Sequence, residues 1–104
     1  MKIITVEQLR DRLADNSVVL IDVRSADELA LARLDGARHL PMSELPQRFG
    51  ELDPQAPIAV LCHHGARSEM VARFLEKNGF SDVANVAGGI DAWSTNIDSS
   101  VPRY

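Results

Sequence analysis

The chain has 104 residues, a length that allows one compact domain and leaves little room for a second hydrophobic core. Hydrophobic residues make up 45% of it and charged residues 25%, as in an ordinary water-soluble globular protein. The formal net charge is −4, so we expect no nucleic-acid surface, because phosphate binding usually requires an excess of basic residues.

The first predicted element is a helix that begins after Thr5. Thr5 and Gln8 have the spacing of a capping box, and Val6, Leu9 and Leu13 follow at helical spacing. The opening segment MKIITVEQLRDRL becomes polar at once, so no signal peptide is expected. No apolar run approaches the roughly 18 residues of a membrane span, and we therefore expect a cytoplasmic domain without membrane contact.

A strand and a second helix follow the first helix. The run SVVLIDV, residues 17–23, is apolar and rich in β-branched residues, which is typical of a buried strand. Ser25 and Glu28 repeat the capping-box spacing, so a helix is predicted to begin after Ser25. The segment DGARHLP, residues 35–41, predicts a turn followed by a brief extended piece.

The middle of the chain contains a proline-rich region, a strand and a longer helix. Four prolines divide residues 41–57 into a short helix near 43–50 and a loop. IAVLC, residues 58–62, is a second apolar strand candidate, and a helix is predicted from about Arg67 to Gly79. The apolar positions of that helix predict a face that packs in the core: Met70, Val71, Phe74 and Leu75.

The last third of the chain predicts one more strand and helix. DVANV, residues 82–86, reads as a strand, GGIDAWSTNI, residues 88–97, as a turn and short helix, and the residues from about 97 as a loose tail. Strands that alternate with helices favour a mostly parallel sheet covered on both faces. We therefore predict one small α/β domain spanning residues 1–104.

Cys62 is the only cysteine, and it lies where a strand meets a helix. Ligands bind at such carboxyl ends of strands in open α/β sheets. The N–H groups and dipole of the following helix, the curl that Gly65 permits and the cation of Arg67 should all favour the thiolate over the thiol. Most free cysteines are buried and act as small hydrophobic residues, but this setting favours a catalytic role for Cys62.

Four residues separate Cys62 from Arg67: His63, His64, Gly65 and Ala66. Cysteine-dependent phosphatases have five residues in the equivalent interval, and a shorter loop suits one sulfur atom better than a phosphoryl group. Adjacent histidines rarely converge on one ion, and no second cysteine exists, so no metal site is expected. We expect His63 and His64 to border the mouth of the pocket.

Three segments of the chain resemble those of a single-domain rhodanese, a member of the thiosulfate sulfurtransferase superfamily. CHHGARS (62–68) is similar to that family's active-site loop, LIDVRSADELALARLDGARHLP (20–41) to its aspartate–valine–arginine segment, and VANVAGGIDAWS (83–94) to its glycine pair and tryptophan helix. The family often has glycine–histidine–isoleucine where this chain has Ala32, Arg33 and Leu34. That difference should affect only the packing of one helix end.

The resemblance implies a rhodanese fold and a persulfide mechanism without a cofactor. Cys62 would take the outer sulfur of a donor such as thiosulfate or a persulfide, and cyanide or a thiol would accept it, with the amides of residues 63 to 67 stabilising the sulfur anion. Because the chain has no second cysteine, the acceptor must be another molecule, such as a sulfur-relay protein. The alternatives are a sulfur carrier, a non-catalytic docking module and, less favoured, a phosphatase or arsenate reductase.

Supporting roles are expected near the loop. Asp22 and Arg24 end the other buried strand, and they could border the catalytic loop, since the carboxyl ends of strands in one sheet share an edge. A structural role is favoured, in which Asp22 holds loop amides and Arg24 forms a surface pair with Glu28 across one helical turn. Gly88 and Gly89 would permit close approach to the Cys62 loop, with Trp93 filling the core behind them. Two further positions are assigned, in the order of the chain: His39 is expected to be structural, and Ser68 belongs to the loop motif.

Overall fold

Five strands and five α-helices alternate through the chain in a computed structural model that describes residues 1–104. The strands are Lys2–Ile4 (β1), Val19–Asp22 (β2), Arg38–His39 (β3), Ile58–Leu61 (β4) and Val83–Val86 (β5). The helices are Val6–Ala14 (α1), Ala26–Leu31 (α2), Leu45–Arg48 (α3), Ala66–Lys77 (α4) and Gly89–Asn96 (α5). Short 3₁₀ turns at Met42–Glu44 and Phe49–Glu51 flank α3.

The strands form one fully parallel sheet in the order β1-β5-β4-β2-β3. One face of the sheet packs against α3 and α4, in a core cluster that includes Val60, Val71 and Leu75. The other face packs against α1 and α5, with Leu9 and Ile90 in the second cluster. The prediction of an α/β domain with helices on both faces is confirmed. No helix in the structure is long and apolar enough to span a membrane.

Local sequence signals place the starts of the helices. Both predicted capping boxes are present, because Thr5 bonds reciprocally with Gln8 and Ser25 with Glu28. Gly65 is the N-cap residue of α4 and has a left-handed conformation, with φ at +118°, which a residue with a Cβ adopts at a cost. These contacts join residues at most three positions apart, and they therefore follow from the sequence alone.

The structure adds one strand, confirms one short helix and corrects the position of one side chain. β1 was not predicted, because its three residues show little pattern: only Ile4 is buried, and the strand exists by pairing with β5. The short helix expected near 43–50 is α3 with its two 3₁₀ turns. Met70 does not belong to the buried face of α4, since 59% of it is exposed, whereas Val71 is buried.

The predicted surface pair between Arg24 and Glu28 is wrong. Arg24 is fully buried and pairs with Asp22, with Arg24 Nη2 lying 2.7 Å from Asp22 Oδ2. Glu28 receives only a long bond from Arg24 at its backbone carbonyl, 3.5 Å away. Asp22 was expected to hold loop amides, and the structure shows it accepting one of them, the backbone N–H of Arg24 at 3.1 Å. The carboxylate of Asp22 fixes both the backbone and the side chain of Arg24.

Residues 98–104, here named the tail segment, pack against the domain, although we expected a loose tail from about residue 97. Ser94 donates a hydrogen bond to the carbonyl of Val101, and Arg103 Nε lies 2.9 Å from Asp91 Oδ1. Tyr104 contacts Arg24 at the other end of the segment, where its hydroxyl accepts from Nη1 at 2.8 Å. These contacts join residues that are distant along the chain, and no local pattern indicates them.

We predict that Arg24→Met lowers the free energy of unfolding by about 3–5 kcal/mol, because it leaves the carboxylate of Asp22 buried without a partner. Arg48→Met is the control, since Arg48 pairs with Glu44 and Glu51 at the surface and should cost at most about 1 kcal/mol. Urea unfolding at neutral pH measures both. Equal losses in the two variants would contradict a structural role for the buried pair.

Candidate active site

The loop that carries Cys62 joins two elements at the carboxyl edge of the sheet. β4 ends at Leu61 and α4 begins at Ala66, so the turn between them is only four residues long. Asp22, at the end of β2, lies in register with Leu61, and the N–H of Val23 donates to the carbonyl of Leu61 at 3.0 Å. The two strand ends predicted to be neighbours therefore share one edge of the sheet.

Cys62 is buried, with only 1% of its surface exposed, and its sulfur has two polar neighbours. The backbone N–H of Gly65 donates to Sγ over 3.0 Å, and the hydroxyl oxygen of Ser68 lies 3.3 Å from Sγ. A hydroxyl donates to a thiolate and accepts from a thiol, so Ser68 can serve both forms of the sulfur. The N–H of Gly65 favours the anionic form.

Asn85 is a site residue that the sequence analysis missed. Its side chain donates to the carbonyl of Gly65 at 3.1 Å and accepts from the hydroxyl of Ser68 at 2.5 Å. Asn85 is buried on β5, next to the loop, and holds Gly65 and Ser68 at fixed positions around the sulfur. A polar residue in the otherwise apolar strand VANV was the available signal, since buried polar groups need partners.

The amino end of α5 binds the outer side of the loop. The carbonyls of Cys62 and His63 accept hydrogen bonds from the N–H groups of Ile90 and Asp91, at 2.9 and 3.1 Å. A Cβ on Gly89 would lie 2.4 Å from the carbonyl oxygen of His63 and 2.5 Å from that of Cys62. The predicted close approach is therefore present at Gly89.

Gly88 has a different reason to be glycine. Its φ is +77°, and a Cβ there would lie 2.6 Å from the Cβ of Ala92 in its own helix. Gly88 therefore allows the turn into α5, and Gly89 allows the contact with the loop. Trp93 packs, partly buried, against the core cluster on that side of the sheet, as predicted.

The loop leaves a set of backbone donors without protein partners. The backbone N–H groups of five residues donate to no protein atom: 63, 64, 66, 67 and 68. Because peptide units are trans, the N–H groups of residues 63 and 64 point away from α5, which takes the carbonyls of the same units. Together with the positive end of α4, these donors can bind an anion beside Cys62.

Arg67 is paired, although we expected it to act on the sulfur as a separate cation. Its guanidinium forms a bidentate salt bridge with the carboxylate of Glu28, with Nη1–Oε1 at 2.5 Å and Nη2–Oε2 at 2.8 Å. This pairing raises the pKa of Arg67, against the opposing effect of burial, and the same hydrogen bonds hold the pKa of Glu28 well below its usual range. Arg67 remains fully charged, and Glu28 sets its position.

The rings of the two loop histidines lie in contact, inclined by 32° to each other. The ring of His63 lies 3.8 Å from that of His64 on one side and 3.9 Å from that of Tyr104 on the other, measured between centroids. His64 is exposed, and its Nδ1 is 4.0 Å from Asp91 Oδ2. His39 lies elsewhere, where its Nε2 is 2.7 Å from the carbonyl oxygen of Arg24. No three His, Cys, Asp or Glu residues are grouped to hold a metal ion.

Comparison with known proteins agrees with this geometry. A family model described as the rhodanese-like domain matches residues 5–96. The thiosulfate sulfurtransferase GlpE of Ectopseudomonas mendocina is 34% identical over 92% of this chain and 88% of its own. A putative sulfur carrier protein, YrkF of Bacillus subtilis, is 37% identical over 88% of this chain.

Some relatives are longer than this chain. A chloroplastic rhodanese-like/PpiC domain-containing protein of Arabidopsis thaliana is 37% identical over the whole chain. The chain spans only 38% of that protein and 50% of the Bacillus subtilis protein. Among solved structures, a rhodanese-like domain protein from Staphylococcus aureus superposes with a TM-score of 0.85 at 31% identity, covering 100% of this chain and 99% of the other.

We predict that Gly89→Ala displaces the Cys62 loop, because its Cβ would overlap two carbonyl oxygens in a left-handed backbone conformation. The free energy of unfolding should fall by about 1–3 kcal/mol. Gly50→Ala is the matched control, since a Cβ there meets nothing within 4 Å. Urea unfolding measures the loss of stability, and the alkylation rate of Cys62 measures the displacement of the loop. If Gly89→Ala changes neither quantity, the close approach of Gly89 to the Cys62 loop is contradicted.

We also predict a pH-dependent contribution from Glu28. Its pKa is lowered in the folded protein, so the charged pair with Arg67 stabilises the fold fully above about pH 4.3, the ordinary pKa of glutamate. The contribution is lost progressively as the pH falls from there through the lowered folded-state pKa. Glu28→Gln should cost about 1 kcal/mol at pH 7, because the pair is partly exposed, and less at pH 3.

The control for Glu28→Gln is Glu69→Gln, which breaks the exposed pair with Arg73 on α4. This second change should alter the free energy of unfolding by less than about 0.5 kcal/mol at either pH. Thermal unfolding followed at several pH values gives both results. A Glu28→Gln cost that does not shrink in acid would show that the charge of Glu28 is not its source.

Proposed function

The chain belongs to the rhodanese-like domain family, and on that premise we propose that it is a sulfurtransferase in which Cys62 carries the transferred sulfur as a persulfide. One observation carries the proposal. Cys62 Sγ accepts the N–H of Gly65 at 3.0 Å in a loop whose other N–H groups have no protein partner. Such a set of donors stabilises a sulfur anion before, during and after transfer.

In the first half-reaction the thiolate of Cys62 attacks the outer sulfur of thiosulfate. A bond forms between Sγ and that sulfur, the sulfur–sulfur bond of thiosulfate breaks, and sulfite leaves with the bonding electron pair. The total charge of −3 is the same before and after the step. The persulfide anion that remains on Cys62 lies where the unpaired N–H groups of the loop can bind it.

In the second half-reaction an acceptor removes the outer sulfur. Cyanide leaves as thiocyanate, or a thiolate leaves as a persulfide anion, and the thiolate of Cys62 is restored with no net oxidation or reduction. The chain contains no second cysteine, so this acceptor is another molecule. The two half-reactions are thus separate in time, as in ping-pong transfer.

The neighbours of Cys62 have distinct roles in this proposal. Gly65 donates to the sulfur. The hydroxyl of Ser68 donates its single proton to Asn85 in the structure, and in this proposal it rotates to donate that proton to the thiolate that forms when the acceptor leaves. Asn85 positions both Gly65 and Ser68 through its two side-chain bonds. Arg67, held by Glu28, supplies permanent positive charge at the start of α4 for an anionic donor.

A sulfur carrier is the second candidate function, and one observation favours it. The sulfur of Cys62 is buried, which protects a persulfide until a partner removes it. The relative from Bacillus subtilis bears the name of a sulfur carrier. In either role we propose thiosulfate or a persulfide as donor, a thiol of a sulfur-relay protein as acceptor, and a reducing cytoplasm as the location.

The test is the intact mass of the purified protein under non-reducing conditions, before and after thiosulfate and then cyanide. We expect a gain of about 32 Da, the mass of one sulfur atom, that cyanide removes, because the loop favours a reactive thiolate. Cys62→Ser should show neither the gain nor thiosulfate:cyanide transfer. Full transfer activity in Cys62→Ser would overturn the proposal, and hydrolysis of an aryl phosphate would favour a phosphatase instead.

The two candidate functions, a sulfurtransferase and a sulfur carrier, differ in how much sulfur each molecule of protein transfers. Repeated production of thiocyanate with excess thiosulfate and cyanide indicates a sulfurtransferase, whereas one equivalent of transferred sulfur indicates a carrier. Ser68→Ala should slow transfer about 10-fold or more, the effect of removing one donor to the sulfur anion. Ser99→Ala, on the exposed tail segment, is the control and should leave the rate unchanged.

A further inference from the structure

We propose that Tyr104 determines which molecules reach Cys62, by forming a cap that joins the two sides of the site. This inference deepens the sulfurtransferase function proposed above and rests on it. Tyr104 lies outside the residues that the family model matches, which end at 96. It belongs to the tail segment.

The sulfur is enclosed in the structure. Only 1% of Cys62 is exposed, and none of the four surface cavities is lined by Cys62. The largest cavity, of about 400 Å³, lies near Trp93 and Val101, on the other face of the sheet from α4. A donor or acceptor can reach the thiol only if some part of the covering structure moves.

Tyr104 binds both sides of the covering structure. Its hydroxyl accepts from Arg24 Nη1 at 2.8 Å and donates to Glu28 Oε2 at 2.8 Å, on the side formed by β2 and α2. Its ring stacks on His63, on the side formed by the catalytic loop, with centroids 3.9 Å apart and the planes inclined by 6°. One side chain thus connects the segment after β2 with the residue that follows Cys62.

The contacts of Tyr104 also reach Arg67. Glu28 Oε2 accepts from Tyr104 and from Arg67 together, so moving the phenol changes the surroundings of the cation beside the loop. Burial raises the pKa of Tyr104, against the opposing effect of Arg24, so the phenol stays protonated and can donate to Glu28 at neutral pH. Hydrogen bonds and stacking therefore hold the neutral phenol of Tyr104 in place.

The cap can open without unfolding the domain. Tyr104 is 37% exposed and lies beyond the points at which Arg103 and Val101 anchor the tail segment. Partly exposed hydrogen bonds at a chain segment of this kind open at low cost in free energy. A small donor such as thiosulfate passes during brief openings, whereas a bulky thiol requires the phenol to be displaced for longer.

The experiment uses the single cysteine as its reporter, because every thiol reagent can label only Cys62. We would measure the alkylation rates of the full chain with iodoacetamide, a small reagent, and with fluorescein-5-maleimide, a bulky one. The ratio of the bulky to the small rate cancels changes in the reactivity of the thiol itself. The variants are Tyr104→Ala and Tyr104→Phe, with Ser99→Ala as the control in the same segment.

Tyr104→Ala should raise the ratio about 10-fold, the change that follows from losing a stacked ring and two hydrogen bonds on a partly exposed residue. Tyr104→Phe keeps the ring and should give a smaller rise, and Ser99→Ala should give none. Thermal unfolding of each variant checks the fold, and Tyr104→Phe tests the cap if Tyr104→Ala does not fold. An unchanged ratio in both Tyr104 variants would overturn the inference.

This readout is independent of sulfur transfer, so the two proposals can fail separately. A wild-type chain that takes no sulfur from thiosulfate, with a ratio that rises in Tyr104→Ala, would reject the sulfurtransferase and leave the cap in place. A chain that forms the persulfide, with a ratio that does not change, would reject the cap alone. If both hold, Tyr104→Ala should increase the rate with a bulky thiol acceptor more than the rate with cyanide.

Discussion

The candidate site depends on the contact between the Cys62 loop and the start of α5. The N–H groups of Ile90 and Asp91 bind the carbonyls of Cys62 and His63, and only glycine at position 89 leaves room for that approach. A planar trans peptide that turns its carbonyl toward α5 turns its N–H the other way. The same contact therefore orients the loop and leaves donors for an anion, so that backbone geometry supplies most of the chemistry.

A second set of interactions arranges charge around the loop. Asp22 neutralises the buried Arg24, Glu28 binds Arg67, and the hydroxyl of Tyr104 lies between the two pairs. Cations and acceptors alternate along this set, so each charge close to the core has a partner, as buried charges require. Arg67 keeps its charge next to the loop while Glu28 restricts where it points, which suits the binding of an anion better than a mobile cation would.

Residues close together in the sequence explain which parts of the fold could be predicted. The capping boxes at Thr5 and Ser25 form within three residues, and both helices begin where that spacing indicates. β1 has no such local signal, because Lys2–Ile4 becomes a strand only by pairing with β5, about 80 residues later. The tail segment was expected to be loose for the same reason: its partners, Asp91 and Arg24, are chosen by the folded domain.

The sequence by itself determined that one cysteine lies in a short glycine-containing loop between a buried strand and a helix, because periodicity and spacing are local properties. Only the tertiary structure decided that Arg24 pairs with Asp22 rather than Glu28, that Asn85 holds the loop, and that Tyr104 stacks on His63. Several polar residues lie close enough in the sequence to pair with a given charged side chain, so the sequence does not select one of them. Packing of the sheet and helices decides which partners lie within hydrogen-bonding distance of Arg24 and Asn85, and that choice requires the whole fold.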